Sequence, residues 1–133
     1  MTRHRHQAGP EKLAAFAEAG GVTDRRVLDA MRRTPRAEFV SAAYADRAYD
    51  DWPVPIPHNQ VTTQPSLSAA MIAALGLAGT ERVLEIGAGY GYQTALLARL
   101  AARVVSIEIW PDLAARARRN LAAAETSTAS NGA

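Results

Sequence analysis

The sequence predicts an α/β fold in which a strand–helix–strand unit follows a mainly helical N-terminal region. Two short apolar runs, at residues 83–86 and 104–107, have the length of buried strands. A glycine-rich loop and an amphipathic stretch at residues 92–101 lie between them, and a crossover helix is what joins two parallel strands. Upstream of residue 66, alanine-rich stretches with helical spacing alternate with glycine and proline breaks, which indicates helices and turns.

The composition is that of one small globular domain. The 133 residues are 48% apolar and carry a net charge of +2, so a packed core is expected. There is no cysteine, which excludes disulfides and favours a reducing compartment. The N-terminus does not resemble a signal peptide, and no apolar run approaches the ~20 residues that span a bilayer. We therefore expect a cytoplasmic protein without a membrane partner. Because no basic stripe is interleaved with aromatic residues, no nucleic-acid partner is expected.

Capping and breaker residues predict the N-terminal elements. Residues 1–10 are expected to be a frayed terminus, and residues 11–19 a helix that two glycines end. Thr23 is the predicted N-cap of a second helix. A brief helical stretch is expected at residues 41–45. The apolar face of the second helix is predicted to consist of Val27, Leu28, Ala30 and Met31.

The character of the sequence changes at residues 49–65. Four prolines exclude a long helix there, and side chains such as Trp52 and His58 are atypical of a plain linker. An irregular binding loop is therefore predicted, in which His58 packs or faces solvent rather than acting as a base. Helices are expected at residues 66–75 and from Pro111 to about residue 124.

A glycine loop follows the first predicted strand and opens a helix. It reads Gly87-Ala88-Gly89-Tyr90-Gly91, and Glu108 ends the second strand about twenty residues later. Missing side chains let a ligand approach the backbone closely, and a helix N-terminus offers free N–H groups. A carboxylate at the neighbouring strand end can accept hydrogen bonds from both ribose hydroxyls. The unit therefore predicts a site for a nucleoside cofactor.

The spacing of the glycines distinguishes two classes of cofactor. A dinucleotide loop reads G-x-G-x-x-G, which would require glycine where this chain has Tyr92. The G-x-G-x-G pattern preceded by Glu85 instead resembles the first motif of the S-adenosylmethionine-dependent methyltransferases. A nicotinamide-dependent dehydrogenase remains an alternative, which Tyr92 disfavours.

Two motifs at matching spacing then indicate a particular family. The chain reads Asn59-Gln60-Val61-Thr62-Thr63-Gln64-Pro65 and, after a predicted helix, Glu85-Ile86-Gly87-Ala88-Gly89-Tyr90-Gly91-Tyr92-Gln93. Together with the upstream Pro35-Arg36-x-x-Phe39-Val40 and Ala48-Tyr49-x-Asp51, these segments resemble the protein-L-isoaspartate O-methyltransferase family. The resemblance covers roughly residues 27–121. It implies a Rossmann-like methyltransferase fold and methyl transfer from S-adenosylmethionine to the carboxylate of isoaspartyl residues, which repairs damaged proteins.

The resemblance also implies roles for individual residues. Thr63 falls where the family has a hydroxyl near the substrate carboxylate and is the expected catalytic residue. The same loop would present Gln60, Val61 and Thr62 to the substrate. The expected cofactor-binding residues are Glu85, Gly87, Ala88, Gly89, Gly91, Tyr92, Gln93, Glu108 and Ile109. No metal site is expected, because His4 and His6 lie in a terminus predicted to be mobile.

The resemblance divides the chain into three segments. Residues 1–65 would form the N-terminal helical region and substrate loop, residues 66–124 the first half of the S-adenosylmethionine-binding Rossmann-like domain, and residues 125–133 a disordered tail. Relative to the family, the chain is truncated at its C-terminus. An incomplete Rossmann-like fold is therefore expected, with self-association through an exposed sheet edge.

Several alternatives remain open. The chain departs from the family at Val61, Thr62 and Ser66, which leaves the substrate preference undecided. Thr62 and Thr63 could instead cap the helix that follows them. Trp110 could flank the adenine or pack on the last helix. The main functional alternative is a non-catalytic remnant that binds the cofactor or serves as an interaction module.

Overall fold

The computed structural model describes the backbone of residues 2–131 and the side-chain environment of residues 8–125. Two short 3-10 turns, Arg36–Phe39 and Ala42–Arg47, follow the second helix. The helices are α1 (Thr2–Ala19), α2 (Arg25–Arg33), α3 (Pro65–Ala74), α4 (Tyr92–Ala98) and α5 (Pro111–Asn131). The strands are β1 (Val54–Ile56), β2 (Gln60–Thr62), β3 (Arg82–Ile86) and β4 (Arg103–Ile107).

The strands form two separate two-stranded sheets. β3 and β4 are parallel and in register from Arg82 opposite Arg103 to Ile86 opposite Ile107, with α4 as the crossover between them. This pairing confirms the α/β fold that the sequence predicted. β1 and β2 form an antiparallel hairpin within the segment predicted to be irregular. The prediction of a wholly irregular loop was therefore wrong. A strand can form here despite its proline, because Pro55 lies at an edge position that needs no backbone donor.

One hydrophobic core joins the N-terminal helices to the strand–helix–strand unit. The Phe39 and Tyr92 rings meet edge to face with 5.8 Å between their centroids. Fully or almost fully buried side chains from α1, α2, α3 and α4 surround this contact, among them Leu13, Met31, Ile72, Leu96 and Leu97. The four predicted apolar positions of α2 are all buried.

Three predicted boundaries were wrong at the helix ends. α1 begins at Thr2 rather than at residue 11, and Gly9 is buried so closely against the Tyr49 ring that an added Cβ would lie 2.4 Å from it. The N-cap of α2 is Asp24, whose carboxylate accepts the Arg26 N–H at 2.9 Å, rather than Thr23. α5 continues to Asn131, so most of the predicted tail is helical, and residues 132–133 lie outside the described part.

None of the helices in the described part of the chain is long and apolar enough to cross a membrane.

Candidate cofactor and substrate site

The glycine loop between β3 and α4 is tied to the end of β4 by its backbone. The N–H groups of Gly87 and Ala88 both donate to the Ile107 carbonyl, at 2.7 and 3.2 Å. Gly87, Gly89 and Gly91 all have positive φ, of 90°, 56° and 96°. Residues with a side chain rarely adopt this conformation, whereas glycine does so readily. A Cβ at Gly87 would meet no atom within 4 Å, so the space beside this residue is left open to a ligand.

Helix α5 fixes the other end of the loop. A Cβ at Gly91 would lie 3.4 Å from Ala117 Cβ, so glycine permits the close approach of α5. The buried Asn120 amide donates to the Tyr90 carbonyl at 3.0 Å. The Arg116 guanidinium lies 5.2 Å from the centre of the Tyr90 ring, which suits a cation–π contact. The loop is therefore held by β4 at one end and by α5 at the other.

Glu85 lies beneath the loop, where only 6% of its surface is exposed. Its Oε1 accepts the hydroxyls of Thr94 and Ser106, both at 2.5 Å, and its Oε2 accepts the Gln93 amide at 3.3 Å. These bonds join β3 to β4 and to α4 and satisfy the buried carboxylate. Glu85 is thus placed to support the loop, and it is not among the residues that line the cavity described below.

Glu108 lies where the predicted ribose acid should be, at the end of β4. Its Oε1 accepts the Gly89 N–H at 2.8 Å and its Oε2 accepts the Trp110 N–H at 3.0 Å. An ionised carboxylate has about four lone-pair sites, so each oxygen retains capacity for a second donor. The neighbouring Ile109 side chain is 83% exposed and available to a ligand.

The glycine loop and the predicted substrate loop both line a small cavity of about 70 Å³. It is much smaller than the ~300 Å³ or more of a typical ligand pocket, so a nucleoside would extend from it over the open loop surface. Thr63 and the three glycines of the loop all contribute to its lining. The lining consists of Val61, Thr62, Thr63, Ser68, Gly87, Ala88, Gly89, Tyr90, Gly91, Tyr92 and Gln93.

The predicted substrate-loop residues have distinct environments. Gln60 is exposed and its amide donates to the His58 carbonyl at 3.1 Å, outside the cavity lining. Val61 is 52% exposed, whereas Thr62 is buried and its hydroxyl accepts a hydrogen bond from Arg36. Thr63 is half-buried at the cavity. Of these four residues, only Thr63 therefore combines a hydroxyl, partial exposure and a place in the lining that the glycine loop shares.

Tyr92 supports the cavity from within the core. Its side chain is 3% exposed, and burial raises the pKa of its phenol above the usual value. The Arg36 guanidinium carbon lies 5.8 Å from the centre of the ring. Among the described residues, neither the Tyr92 hydroxyl nor the hydroxyl of Ser68, which also lines the cavity, has a hydrogen-bond partner.

Asp51 is a site residue whose role the sequence did not predict. Its carboxylate accepts the Ser66 N–H at 2.9 Å, the Ser66 hydroxyl at 2.7 Å and the Gln64 amide at 3.1 Å. It therefore caps α3 from outside the helix, and the alternative that Thr62 and Thr63 cap it was wrong. Capping from 15 residues away leaves no local pattern in the sequence. The one available signal for Asp51 was its place in a segment that resembles the family.

The turn of the hairpin is attached to the start of α5. His58 Nε2 lies 2.9 Å from both carboxylate oxygens of Asp112, and this hydrogen bond lowers the Asp112 pKa. The His58 ring also stacks on Trp110, with 3.9 Å between the centroids and 2° between the planes. His58 and Asn59 both adopt positive φ, at 64° and 56°. Trp110 lies two residues after Glu108 and packs against the hairpin turn. Neither alternative for Trp110 had included this contact.

Within the described part of the chain, no group of three or more histidine, cysteine or acidic side chains could hold a metal ion. The side chains of His4 and His6 lie outside the described residues.

A parallel strand–helix–strand unit with a glycine loop and a terminal acid defines a Rossmann-like protein of the nucleoside-binding type. The chain belongs to the protein-L-isoaspartate(D-aspartate) O-methyltransferase family, which matches residues 10–131. The family resemblance indicated by the sequence is therefore confirmed.

Curated relatives show how much of the family the chain represents. It is 56% identical over 107 residues to the protein-L-isoaspartate O-methyltransferase of Anaeromyxobacter dehalogenans strain 2CP-1, covering 80% of this chain and 51% of the relative. It is 53% identical over 115 residues to that of Methanoculleus marisnigri, covering 86% and 52%. The chain thus spans about half the length of the curated relatives that it matches.

Solved structures show the same fold. A protein-L-isoaspartate O-methyltransferase with 32% identity superposes with a TM-score of 0.75, over 86% of this chain and 38% of that one. A putative protein-L-isoaspartate O-methyltransferase from Plasmodium falciparum, described as a complex with S-adenosyl-L-homocysteine, also gives a TM-score of 0.75. It is 21% identical and covers 87% of this chain and 56% of that one.

Proposed function

We propose that this chain binds S-adenosylmethionine at the glycine loop and contributes to methyl transfer onto the carboxylate of L-isoaspartyl residues in damaged proteins. The observation that carries the proposal is one cavity whose lining includes both Thr63 and the three loop glycines, Gly87, Gly89 and Gly91. Family membership and the position of Glu108 support it. A cytoplasmic location belongs to the same proposal and is supported by the absence of cysteine.

The residues of the cavity fit this chemistry. S-adenosylmethionine supplies an electrophilic methyl group when bound. Gly87 leaves open space beside the loop backbone, and Glu108 retains lone pairs for ribose hydroxyls. A substrate carboxylate is ionised at neutral pH, so no general base is required. The Thr63 hydroxyl would orient one carboxylate oxygen while leaving its charge intact. Alignment of the reactants then supplies much of the acceleration.

Calorimetry with S-adenosylhomocysteine tests the cofactor site. We expect micromolar binding to the native chain and at least a tenfold loss in Gly89→Val, because a side chain at φ 56° strains the loop and a Cβ there already lies 3.4 Å from Ile56. Gly76→Val is the matched control, since Gly76 has φ 60° and no atom within 4 Å of an added Cβ. Equal losses in both variants would contradict the assigned site.

Methyl incorporation into an isoaspartyl peptide and its aspartyl twin tests the substrate. We expect label only in the isoaspartyl peptide, and at least a tenfold lower rate in Thr63→Val. Equal labelling of both peptides would refute the substrate assignment. Binding of S-adenosylhomocysteine without methyl transfer would support the second candidate, a non-catalytic cofactor-binding module.

Self-association through the exposed sheet is a separate proposal about partners. One face of the β3–β4 sheet exposes 61% of Leu84, 73% of Ile86, 47% of Val105 and 50% of Ile107. Parallel sheets are normally covered on both faces, and in this proposal a second copy of the chain would cover this one. We expect light scattering to show a dimer that Ile86→Glu dissociates and Leu75→Glu, a 58% exposed position on another element, does not. A monomer at ~100 μM would oppose the proposal.

A further inference from the structure

Arg36 is a completely buried cation that binds the chain on both sides of the hairpin. Its Nη1 donates to the carbonyls of Ala48 and Asp50, at 3.4 and 3.0 Å. Its Nη2 donates to the Trp52 carbonyl and to the Thr62 hydroxyl, both at 2.9 Å. All four terminal N–H groups are therefore used, and the side chain has 0% exposure.

The charge of Arg36 is solvated by these oxygens rather than by a carboxylate. None of the ion pairs found among the described residues includes Arg36. Burial lowers its pKa from the usual value, and the nearby Tyr92 and the carboxylates of Asp51 and Asp50 act in the opposite direction. Burying a cation without a counter-ion is costly, so the four oxygens must be held in place for the fold to retain it.

The same side chain contacts both walls of the cavity. Thr62 immediately precedes Thr63 in the substrate-loop wall, and Tyr92 immediately follows Gly91 in the glycine-loop wall. The guanidinium binds the Thr62 hydroxyl and packs 5.8 Å from the centre of the Tyr92 ring. We propose that Arg36 is a positioning residue that fixes the distance between Thr63 and the glycine loop, and hence the alignment of methyl acceptor and donor. This inference rests on the proposed function.

Arginine is required for this role because its planar fork reaches four acceptors at once. Lysine carries the same charge on a single nitrogen with three N–H donors, so it cannot satisfy all four acceptors at once. A misplacement of about 1 Å at a reacting centre can cost about 10²-fold in rate. We therefore expect Arg36→Lys to release the hairpin and to lower kcat about 10²-fold, while the affinity for S-adenosylhomocysteine changes less than about threefold.

The matched control is Arg26→Lys. Arg26 also donates to two carbonyls, of Leu77 at 2.6 Å and of Leu100 at 3.2 Å, but it contacts neither wall of the cavity. Thr62→Val is the second variant, because it removes one acceptor while retaining the shape and leaves Arg36 in place. It keeps the test valid if Arg36→Lys does not fold.

Two measurements on the native chain and these variants test the inference. Hydrogen exchange should become at least tenfold faster at hairpin amides in Arg36→Lys and Thr62→Val, with α4 amides within about twofold of native. Turnover of an isoaspartyl peptide should show the kcat loss without the affinity loss. Unchanged hairpin exchange, equal loosening of α4, or the same kcat loss in Arg26→Lys would overturn the role of Arg36. If the native chain binds no S-adenosylhomocysteine, the proposed function fails, and the exchange measurement still decides the role of Arg36.

Discussion

Two glycines of the same loop serve different purposes. Gly91 at φ 96° lies against Ala117, so its missing side chain is needed for packing within the chain. Gly87 at φ 90° has open space where a Cβ would be, so its missing side chain leaves room that the chain does not fill. The glycine pattern therefore combines a packing requirement at Gly91 with open space at Gly87, which the proposed cofactor would occupy.

Replacing Gly91 by alanine should cost more than conformational strain alone. An L-residue in the left-handed region costs about 1–2 kcal/mol, and the new Cβ would also press on Ala117 at 3.4 Å. Gly76→Ala introduces the strain without the contact. We expect urea unfolding to show a loss of about 1 kcal/mol for Gly76→Ala and about 2–3 kcal/mol for Gly91→Ala. Equal losses would show that α5 moves away at no cost.

At the scale of elements, the β1–β2 hairpin is held at its base and at its turn. Arg36 binds the base, and the pair of His58 with Asp112 together with the Trp110 stack attaches the turn to α5. His58 and Asn59 form that turn with positive φ, and both are residue types that adopt the left-handed region more readily than most residues other than glycine.

The attachment of the turn should depend on acid pH. The hydrogen bond from His58 lowers the pKa of the Asp112 carboxyl in the folded chain. The stabilisation is therefore complete above the unfolded-state pKa of about 3.9 and is lost as the pH falls through the lower folded-state pKa. The native chain should melt at a higher temperature than Asp112→Asn. This difference in melting temperature should be constant near pH 5–6 and shrink below about pH 4. Asp46→Asn, at an exposed position, is the control. An advantage independent of pH would contradict the assignment.

At the scale of the whole molecule, the N-terminal helices and the strand–helix–strand unit share one core. Leu13, Met31 and Phe39 lie in the same buried cluster as Tyr92 and Leu96. The proposed division at residue 65 therefore separates sequence segments whose side chains pack together, and we expect them to unfold together.

Unfolding in urea should be a single transition. Far-UV circular dichroism and tryptophan fluorescence should give coincident curves. Leu96→Ala, at 1% exposure, should lower the free energy of unfolding by about 2–5 kcal/mol. Leu84→Ala, at 61% exposure, should change it by less than about 0.5 kcal/mol. Separate transitions for the two signals would show that the halves fold independently.

The sequence by itself determined the strand–helix–strand unit, its glycine loop and the family. The unit and its loop are local, because strand length, glycine spacing and the position of Glu108 are all read within about 25 residues. The family follows from short motifs at a matching spacing along the chain. The tertiary structure decided the features that depend on distant partners. Asp51 caps a helix from 15 residues away, and His58 pairs with Asp112 from 54 residues away. The buried Arg36 likewise donates to the hydroxyl of Thr62, 26 residues further along the chain. Such partners leave no periodicity in the sequence, since only folding brings them within hydrogen-bond distance.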